Sequence, residues 1–401
     1  MLAKLGRHAE AADQYRAALR ASPDDLAAWH ALGLSLAEHG DFAGAEHAFR
    51  RATWLDPGAA ASWSNLGMML KIAGRFDEAI AAHDRAVALA PDAAQIRLNR
   101  AIALLHMGRM AEAWGDYEAR LLVNHRARML PGEMLPRVDD IDLTGRTVLV
   151  WHEEGFGDTI QFCRYVPALA ARGARVLLAV PSPLVRLMRS LSGAEVFDTR
   201  APVPPYDFHC PAFSLPRAFG TTLETIPGEA PYLAADPALV ADWAQRLPRH
   251  GLRVGVVWAG QARPWLPGFA TVNARRSLDP EALRCLHEIA GVQLVSLQLG
   301  HDGPDFMLHP MRQVSDFADT AAVIANLDLV ISVDTSVLHL AGALGKPVLL
   351  LDRVDNCWRW LTGREGSPWY PTLRILRQER VGDWTGPLRR AKVILQGWGR
   401  R

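Results

Sequence analysis

The sequence WHALGLSL at residues 29–36 is followed thirty-four residues later by WSNLGMML at residues 63–70. Each copy leads through alanine-rich sequence to a proline, Pro57 in the first case and Pro91 in the second. Tryptophan, leucine and glycine recurring at one spacing indicate a repeated supersecondary unit. We therefore predict pairs of antiparallel helices, with small residues where backbones approach and a proline closing each unit.

This pattern is typical of tetratricopeptide repeats, and we assign residues 1–130 to them. An earlier, truncated repeat and a weaker third full repeat are indicated by matching positions: Ala11, Tyr15, Ala18 and Pro23, and Leu104, Ala113 and Tyr117. The first repeat lacks most of its first helix, whereas solenoid ends need polar caps. We therefore expect further repeats upstream of Met1 in the natural gene product.

A repeat array offers a concave face that suits an extended peptide or a partner protein. Asn65 and Asn99 occupy the same position of successive repeats, on the first helix. An asparagine amide both donates and accepts hydrogen bonds, so these residues are candidates for clamping a peptide backbone. The alternative is that asparagine is simply common at this repeat position.

Composition excludes several classes of protein. The 401 residues carry a net charge of +1, so no global electrostatic case exists for binding nucleic acid or an anionic membrane. The 4 cysteines lie far apart and form no zinc or disulfide pattern. No apolar stretch is long enough to span a bilayer, and no leader is evident. We expect a soluble, cytoplasmic protein.

The periodicity changes after a proline-marked stretch at residues 130–144. An apolar run at Thr147–Trp151, a glycine turn, a helical pattern and a second run at Arg175–Val180 predict a parallel βαβ unit. A further strand is expected at Tyr206–Cys210 and a helix at Pro237–Leu247. We assign residues 140–240 to a first α/β domain.

A second α/β domain is predicted for residues 250–401. Its expected strands are Arg253–Trp258, Gln293–Leu297, Leu329–Val333 and Pro347–Leu351. One helix is expected to be capped by Asp319 and Thr320, and a closing helix at Trp384–Trp398 to pack back across the cleft. Two consecutive doubly wound sheets suggest ligand binding between them, at the carboxyl ends of the strands.

In the second domain, a buried strand ending at Asp334 runs directly into Thr335 and Ser336 at the start of a helix. Backbone N–H groups and the positive helix end at such a point suit a diphosphate. His339 follows about one turn later, on the same side. An equally open interpretation is that Asp334 or Thr335 is an N-cap and His339 a hydrogen-bonded core residue.

The counterpart in the first domain is Gly155-Phe-Gly157-Asp158. The glycines permit close approach of a ligand, and Asp158 at the head of a helix would stay ionised, as a general base must. The residues alone favour the alternative, in which Asp158 and Gln161 form a capping-box variant without a ligand.

Arg276, which follows Arg275 in the loop after the Trp258 strand, is a candidate for neutralising phosphate charge; the alternative is a solvated surface pair. No P-loop, nucleophile-elbow or H-E-x-x-H motif occurs. No carboxylate cluster suggests a metal site, so we expect a metal-independent mechanism without a cofactor.

Residues from about 140 to 395 resemble the glycosyltransferase family 9 (heptosyltransferase-like) domain, which has the GT-B fold, and the whole chain resembles bacterial proteins that fuse tetratricopeptide repeats to it. The matching segments are HEEGFGDTIQFCRYVP (152–167), FGTTLETIP (219–227), VDTSVLHLAGALGKPV (333–348), WRWL (358–361) and SPWYPTLRILRQ (367–378). The resemblance implies a solenoid followed by two Rossmann-like domains facing a cleft.

The resemblance also implies inverting, metal-free transfer of a sugar from a nucleotide-sugar substrate to an acceptor hydroxyl. It assigns the catalytic base to Asp158 and assistance of the leaving phosphate to Arg276. The residues assigned to the donor diphosphate are Asp334, Thr335, Ser336 and His339, with Gly157 allowing close approach. Relatives carry G-N-P-x-H-x-N-D-R-x-R-S after the first strand of the second domain, whereas here residues 260–277 keep only the final Arg-Ser.

Three functional hypotheses follow. The leading one is a glycosyltransferase whose repeats recruit a protein acceptor, such as flagellin or another Ser/Thr-rich protein. The second is transfer to a lipopolysaccharide or polysaccharide acceptor. The third is a catalytically inactive scaffold, for which the altered loop at residues 260–277 is the best support.

Overall fold

The computed structural model describes residues 2–123, 130–248, 250–261, 269–300 and 303–398. The chain divides into two compact units. The repeat unit comprises Met1–Met129 and Cys357–Thr362, and the sheet unit comprises Leu130–Asn356 and Gly363–Arg401.

The repeat unit is an array of antiparallel helices after a short 3-10 turn at Leu2–Leu5. The helices are α1 (His8–Ala21), α2 (Leu26–His39), α3 (Phe42–Leu55), α4 (Ala60–Ile72), α5 (Phe76–Leu89), α6 (Ala94–His106), α7 (Met110–Tyr117) and α8 (Arg120–Val123). The predicted repeat periodicity is thus confirmed.

Small residues let the paired helices approach closely. A Cβ on Gly33 of α2 would lie 2.6 Å from the Phe49 ring of α3, and one on Gly67 of α4 would lie 2.7 Å from the His83 ring of α5. Only glycine avoids these overlaps. The glycine of the repeated sequence is therefore a packing requirement.

Cys357–Thr362 belongs to the repeat unit although it lies between two strands of the sheet unit. The Trp358 ring meets Trp114 edge-on at 6.1 Å and Tyr117 at 5.9 Å between ring centroids. Edge-to-face aromatic pairs of this kind stabilise a fold by about 0.5–1.5 kcal/mol beyond the burial of their apolar area. No sequence pattern predicted that this segment completes the repeat core.

The first half of the sheet unit (residues 130–220) alternates strands and helices. Its elements are β1 (Glu133–Met134), β2 (Thr147–Trp151), α9 (Phe156–Phe162), α10 (Val166–Ala171), β3 (Arg175–Val180), α11 (Ser182–Met188), β4 (Ala194–Asp198), β5 (Phe208–Pro211) and α12 (Leu215–Ala218). A 3-10 turn at Cys163–Tyr165 joins α9 to α10. The connecting segment (residues 221–248) ends with α13 (Pro237–Arg246).

The second half (residues 250–356 and 363–398) repeats this alternation. Its elements are β6 (Leu252–Val257), α14 (Phe269–Arg276), α15 (Arg284–His287), β7 (Val292–Ser296), α16 (Phe317–Ala325), β8 (Leu329–Ser332), α17 (Ser336–Ala343), β9 (Val348–Asp352), β10 (Leu373–Arg377) and α18 (Thr385–Trp398).

Both sheets have five strands, and their strand pairs are parallel. The order is β1-β5-β2-β3-β4 in the first sheet and β10-β9-β8-β6-β7 in the second. Parallel strands need helices on both faces, which explains the continuous apolar runs of β2, β8 and β9. The predicted fold class, a helical solenoid followed by two α/β sheets of the GT-B type, is confirmed.

Two predicted details are wrong. Helix α16 is capped by Asp316, whose carboxylate accepts from the N–H groups of Ala318 and Asp319, and not by Asp319 and Thr320. Helix α18 does not pack across the cleft, because its apolar face, with Leu388 and Leu395, joins the core of its own sheet. No helix in the described ranges is long and apolar enough to cross a membrane.

Candidate functional site

The start of α17 carries the predicted diphosphate residues. Strand β8 is fully buried up to Ser332, and the helix begins at Ser336 with Thr335 as its extended N-cap residue. The Thr335 side chain makes no capping hydrogen bond; its hydroxyl lies 3.1 Å from the Ser332 hydroxyl. Thr335 is thus the N-cap residue by position, as one of the two interpretations had it, although its side chain makes no capping hydrogen bond. The first-turn N–H groups of α17 therefore do not donate to the Thr335 side chain, and helix starts are sites where anions commonly bind.

His339 lies one turn along α17 and is 4% exposed. Its Nδ1 lies 2.9 Å from the Tyr370 hydroxyl, and its Nε2 lies 3.7 Å from Oδ1 of Asp334. The ring is therefore both buried and turned toward the residue that precedes the helix. The two interpretations of His339 are compatible, because Tyr370 holds one ring nitrogen while the other faces Asp334.

Arg276 meets the same point from α14. Its Nη1 donates to the Asp334 carbonyl oxygen at 3.0 Å, and its Nε donates to Oδ1 of Asn273 at 3.0 Å. Neighbouring Arg275 pairs with Asp355 at 3.2 Å, with its side chain 14% exposed. The two arginines lie on a helix and not in a solvated loop, which corrects the surface-pair interpretation. Residues 262–268, which form part of the altered loop, lie outside the described residues.

In the first half, α9 begins at Phe156 and not at Asp158. Gly155 is the N-cap residue, and its N–H donates to Oδ2 of Asp158 at 2.9 Å. The half-buried Asp158 therefore has the capping role that the residues alone favoured, although with Gly155 and not Gln161 as partner. A carboxylate accepts several hydrogen bonds, so this role does not by itself prevent proton transfer.

Gly157 brings the two halves together. A Cβ on Gly157 would lie 2.8 Å from Cδ2 of His339 and 3.1 Å from Cα of Ser336. The first turn of α9 is thus in contact with the first turn of α17, and the carboxyl edges of the two sheets meet there. Six of the seven predicted nucleotide-sugar and catalytic residues form this contact or lie next to a residue that forms it. They are Gly157, Asp158, Asp334, Ser336, His339 and Arg276. The seventh, Thr335, caps α17 beside them.

The two candidate clamp residues of the repeat unit differ from each other. The Asn99 amide donates to the Ser64 hydroxyl at 3.0 Å and accepts from Gln95 at 2.8 Å, which ties α6 to α4. The half-buried Asn65 side chain has no hydrogen-bond partner among the residues that the structure describes. A role in binding a peptide stays a prediction for both residues.

Buried polar residues that the sequence analysis did not single out surround the site. Asp352, at the carboxyl end of β9, is 2% exposed and accepts from Nε of Arg377 at 2.9 Å. Burial raises the pKa of Asp352 to about 7, opposed by the charge of Arg377. Arg164 and Tyr370 were also missed. The available signal was a charged residue within the apolar pattern of Ile160, Phe162 and Val166.

Among the described residues, no group of three or more histidine, cysteine, aspartate or glutamate side chains is arranged to hold a metal ion. The positive groups near the start of α17 are instead Arg276 and the helix end itself.

Comparisons with known sequences match both parts of the chain. The tetratricopeptide repeat profile matches residues 2–60, 30–91 and 70–128. The profile of glycosyltransferase family 9 (heptosyltransferase) matches residues 314–372, which contain α16, β8, α17 and β9. Protein FlbA of Caulobacter vibrioides is 29% identical over an alignment of 325 residues, and the match covers 71% of this chain and 52% of that protein. The chain spans about half the length of this curated relative.

Similar solved structures include the glycosyl transferase family 9 from Veillonella parvula DSM 2008, 10% identical with a TM-score of 0.42 over 59% of this chain and 87% of that one. The crystal structure of MamA is 23% identical with a TM-score of 0.29 over 31% of this chain and 72% of that one. These TM-scores are too low to carry an argument, so the family relationship rests on the two sequence profiles. The chain joins tetratricopeptide repeats to a glycosyltransferase family 9 (heptosyltransferase)-like domain.

Proposed function

We propose that the sheet unit transfers a sugar from a nucleotide-sugar to an acceptor hydroxyl with inversion. The observation that carries the proposal is the contact of Gly157 with Ser336 and His339, which joins the candidate base of one half to the candidate diphosphate site of the other. The family 9 match covers the second side of this contact.

In this proposal the donor diphosphate binds at the start of α17. The N–H groups of its first turn and the guanidinium of Arg276 supply the positive charge, and His339 supplies a ring nitrogen. As the bond between the anomeric carbon and the phosphate oxygen breaks, negative charge grows on the leaving nucleoside diphosphate. Preorganised donors stabilise that charge more in the transition state than in the substrate. The proposal therefore needs no metal, and the nucleotide-sugar is a substrate and not a cofactor.

The acceptor is activated by Asp158. Its carboxylate removes the hydroxyl proton while the hydroxyl oxygen forms the new bond to the anomeric carbon, from the face opposite the leaving group. The hydrogen bond from the Gly155 N–H holds the Asp158 carboxylate at the start of α9, and a carboxylate can accept further hydrogen bonds, including one from the acceptor hydroxyl.

For the acceptor we propose a protein that the repeat unit recruits, with Asn65 as the better placed of the two clamp candidates. The half-buried Asn65 amide keeps both its donor and its acceptor groups for a ligand, as far as the described residues extend, whereas Asn99 is already bonded. The alternative acceptor is a lipopolysaccharide or polysaccharide. Quantitative mass spectrometry of cellular proteins with and without the gene distinguishes these acceptors, since unchanged protein glycosylation would contradict the protein-acceptor proposal.

A second candidate function is a scaffold without turnover. It is favoured by one observation: the Asp158 carboxylate accepts from the Gly155 N–H at the start of α9. A scaffold of this kind would bind partners through its repeats without needing a nucleotide.

Nucleotide binding separates these candidates. Thermal unfolding and calorimetry should be measured with ADP, GDP, UDP and CDP, because a ligand at 100 times its Kd stabilises the folded state by about 2.7 kcal/mol. We expect T335A combined with H339A to abolish the shift. The matched control is T372A. Thr372 lies in the same half but just before the start of β10, whereas the start of α17 follows the carboxyl end of β8. A wild-type protein that responds to none of these nucleotides would favour the scaffold.

Turnover is tested with D158N, which keeps an oxygen to accept from the Gly155 N–H but cannot take a proton. We expect release of nucleoside diphosphate from the nucleotide-sugar to fall by at least about 100-fold, with nucleotide affinity nearly unchanged. Equal activity of D158N and wild type would remove Asp158 from the mechanism.

A further inference from the structure

The side chain of Arg164 is a buried cation. It lies in the 3-10 turn after α9 and is 4% exposed. Across the described ranges, no aspartate or glutamate pairs with it. Burying a charge is costly unless it is paired and hydrogen-bonded, and an apolar residue of similar volume would fill a core position at lower cost. The charge therefore calls for an explanation beyond packing.

Its hydrogen bonds replace the missing carboxylate. Nη1 donates to the Trp369 carbonyl oxygen at 2.6 Å and to the Pro227 carbonyl oxygen at 3.2 Å, and Nη2 donates to the Tyr232 hydroxyl at 3.1 Å. Nε donates to the Gln161 carbonyl oxygen at 2.9 Å. The planar guanidinium can serve such divergent acceptors at once, which a lysine ammonium on a flexible stem cannot match.

These acceptors come from three parts of the sheet unit. Gln161 belongs to the first half, Pro227 and Tyr232 to the connecting segment, and Trp369 to the second half. The guanidinium carbon also lies 4.7 Å from the Tyr232 ring centroid and 4.8 Å from that of Tyr370. Arg164 is thus bonded to both halves at the place where they meet.

Tyr370 continues this connection to the candidate site. Its hydroxyl lies 2.9 Å from Nδ1 of His339, and it is fully buried. Its ring packs so closely on Gly342 of α17 that a side chain there would overlap it. Tyr370 thus links Arg164, whose guanidinium faces its ring, to His339, whose Nδ1 lies within hydrogen-bond distance of its hydroxyl.

We propose that Arg164 is a positioning residue: acting through Tyr370, it holds His339 in the second half against Gly157 and Asp158 of the first. The inference rests on the proposed function for its consequence in catalysis, but not for its structural content. It assigns a functional role to a side chain that does not itself reach the start of α17.

The test compares R164M, R164K and Y370F with the control R186M. Arg186 also bridges the two halves, through ion pairs with Asp316 at 3.0 Å and Asp319 at 3.6 Å, but on the surface. The first readout is the ring signal of His339 in spectra of protein labelled with carbon-13 at histidine Cε1; H339Q identifies it among the 14 histidines. The second is the Kd of the nucleoside diphosphate that wild type binds best among ADP, GDP, UDP and CDP.

We expect R164M and Y370F to shift the His339 signal and to raise the nucleotide Kd about tenfold or more, with R186M changing neither. R164K retains the charge but not the planar donor set, so we expect it to resemble R164M. In the double variant R164M/Y370F the loss should be smaller than the product of the two single losses, because both act through one contact.

An unchanged His339 signal in folded R164K would overturn the proposal, as would full recovery of nucleotide affinity by lysine, which would make charge alone the cause. If R164M does not fold, R164K and Y370F allow the same comparison. If wild type binds none of the nucleotides, the proposed function fails, whereas the His339 signal still decides the role of Arg164.

Discussion

The substitution G157A tests the contact on which the candidate site depends. The added methyl carbon would lie 2.8 Å from Cδ2 of His339 and 3.1 Å from Cα of Ser336. Because non-bonded carbons settle no closer than about 3.5 Å, the His339 ring must move away by at least roughly 0.7 Å and Ser336 by at least roughly 0.4 Å. Neither neighbour yields easily: Ser336 Cα is backbone, and the His339 ring is held by the Tyr370 hydroxyl.

The expected loss of stability is modest. Alanine is favoured over glycine inside a helix by about 1 kcal/mol, whereas overpacking costs about 1–3 kcal/mol, so the net loss is about 0–2 kcal/mol. That corresponds to a fall in Tm of at most about 8 °C for a unit of this size. The protein should stay folded, while the donor groups at the start of α17 move relative to α9. We expect nucleoside diphosphate affinity to fall at least about tenfold, because displacements approaching 1 Å strongly weaken a preorganised site.

The assay is calorimetric titration of nucleoside diphosphate together with thermal unfolding. The matched control is G397A, the same substitution in a helix where no atom lies within 4 Å of the added carbon. G397A should bind nucleotide like wild type and be no less stable. Wild-type affinity in G157A, with wild-type Tm, would refute the reasoning, because the contact would then be absent or distant from the ligand.

Three further predictions concern packing and protonation. G33A should destabilise the repeat unit by up to about 2 kcal/mol, because the overlap with the Phe49 ring exceeds the helix preference for alanine. G115A, with no atom within 4 Å of its added carbon, should not destabilise it; denaturant titration measures both. His83 is fully buried, and its ring has no hydrogen bond among the described residues. Burial lowers the pKa of His83 to about 3, whereas the unfolded value is about 6.5. The stability of the wild type should therefore fall as pH drops below about 6.5. H83F introduces the residue that the preceding repeat has at this position, Phe49, and should raise stability by about 1–3 kcal/mol and remove the loss at low pH. An unchanged loss of stability at low pH would show that His83 is not its cause. Burial raises the pKa of Asp352 to about 7, so between about pH 4 and pH 7 the folded state holds a proton that the unfolded state has lost. Stability should therefore fall as pH rises through this range. D352N should flatten this slope in unfolding titrations.

The accuracy of the strand predictions follows how apolar each strand is, which depends in part on its position in the sheet. Strands β2, β3 and β8 lie inside a sheet, are covered on both faces and appear as apolar runs, which is why their sequence limits were nearly right. The edge strands β1, β4 and β10 were missed, whereas the edge strand β7 (Val292–Ser296), which has a buried apolar run, was predicted. In β4, Ala194–Asp198, no residue is fully buried, so its sequence lacks the pattern that identifies a strand.

The candidate site was predictable only in part. Spacing along one helix related Thr335 to His339, because residues about one turn apart share a face. It did not relate His339 to Tyr370, which is 31 residues further on, or Arg164 to Trp369, which is 205 residues away. Such contacts depend on how the two halves pack, and no local pattern encodes that packing.

The segment Cys357–Thr362 argues against treating the repeats as a separable recruiting module. The chain leaves the second sheet after β9, contributes Trp358 to the repeat core beside Trp114 and Tyr117, and returns as β10. This excursion lies inside the stretch that matches glycosyltransferase family 9. Deleting the repeats would leave an aromatic segment of that stretch without the partners that bury it, and such exposed apolar surface favours aggregation. Loss of activity in a truncated chain would therefore not show that the repeats bind an acceptor, whereas point substitutions at Asn65 in the full chain address that question directly.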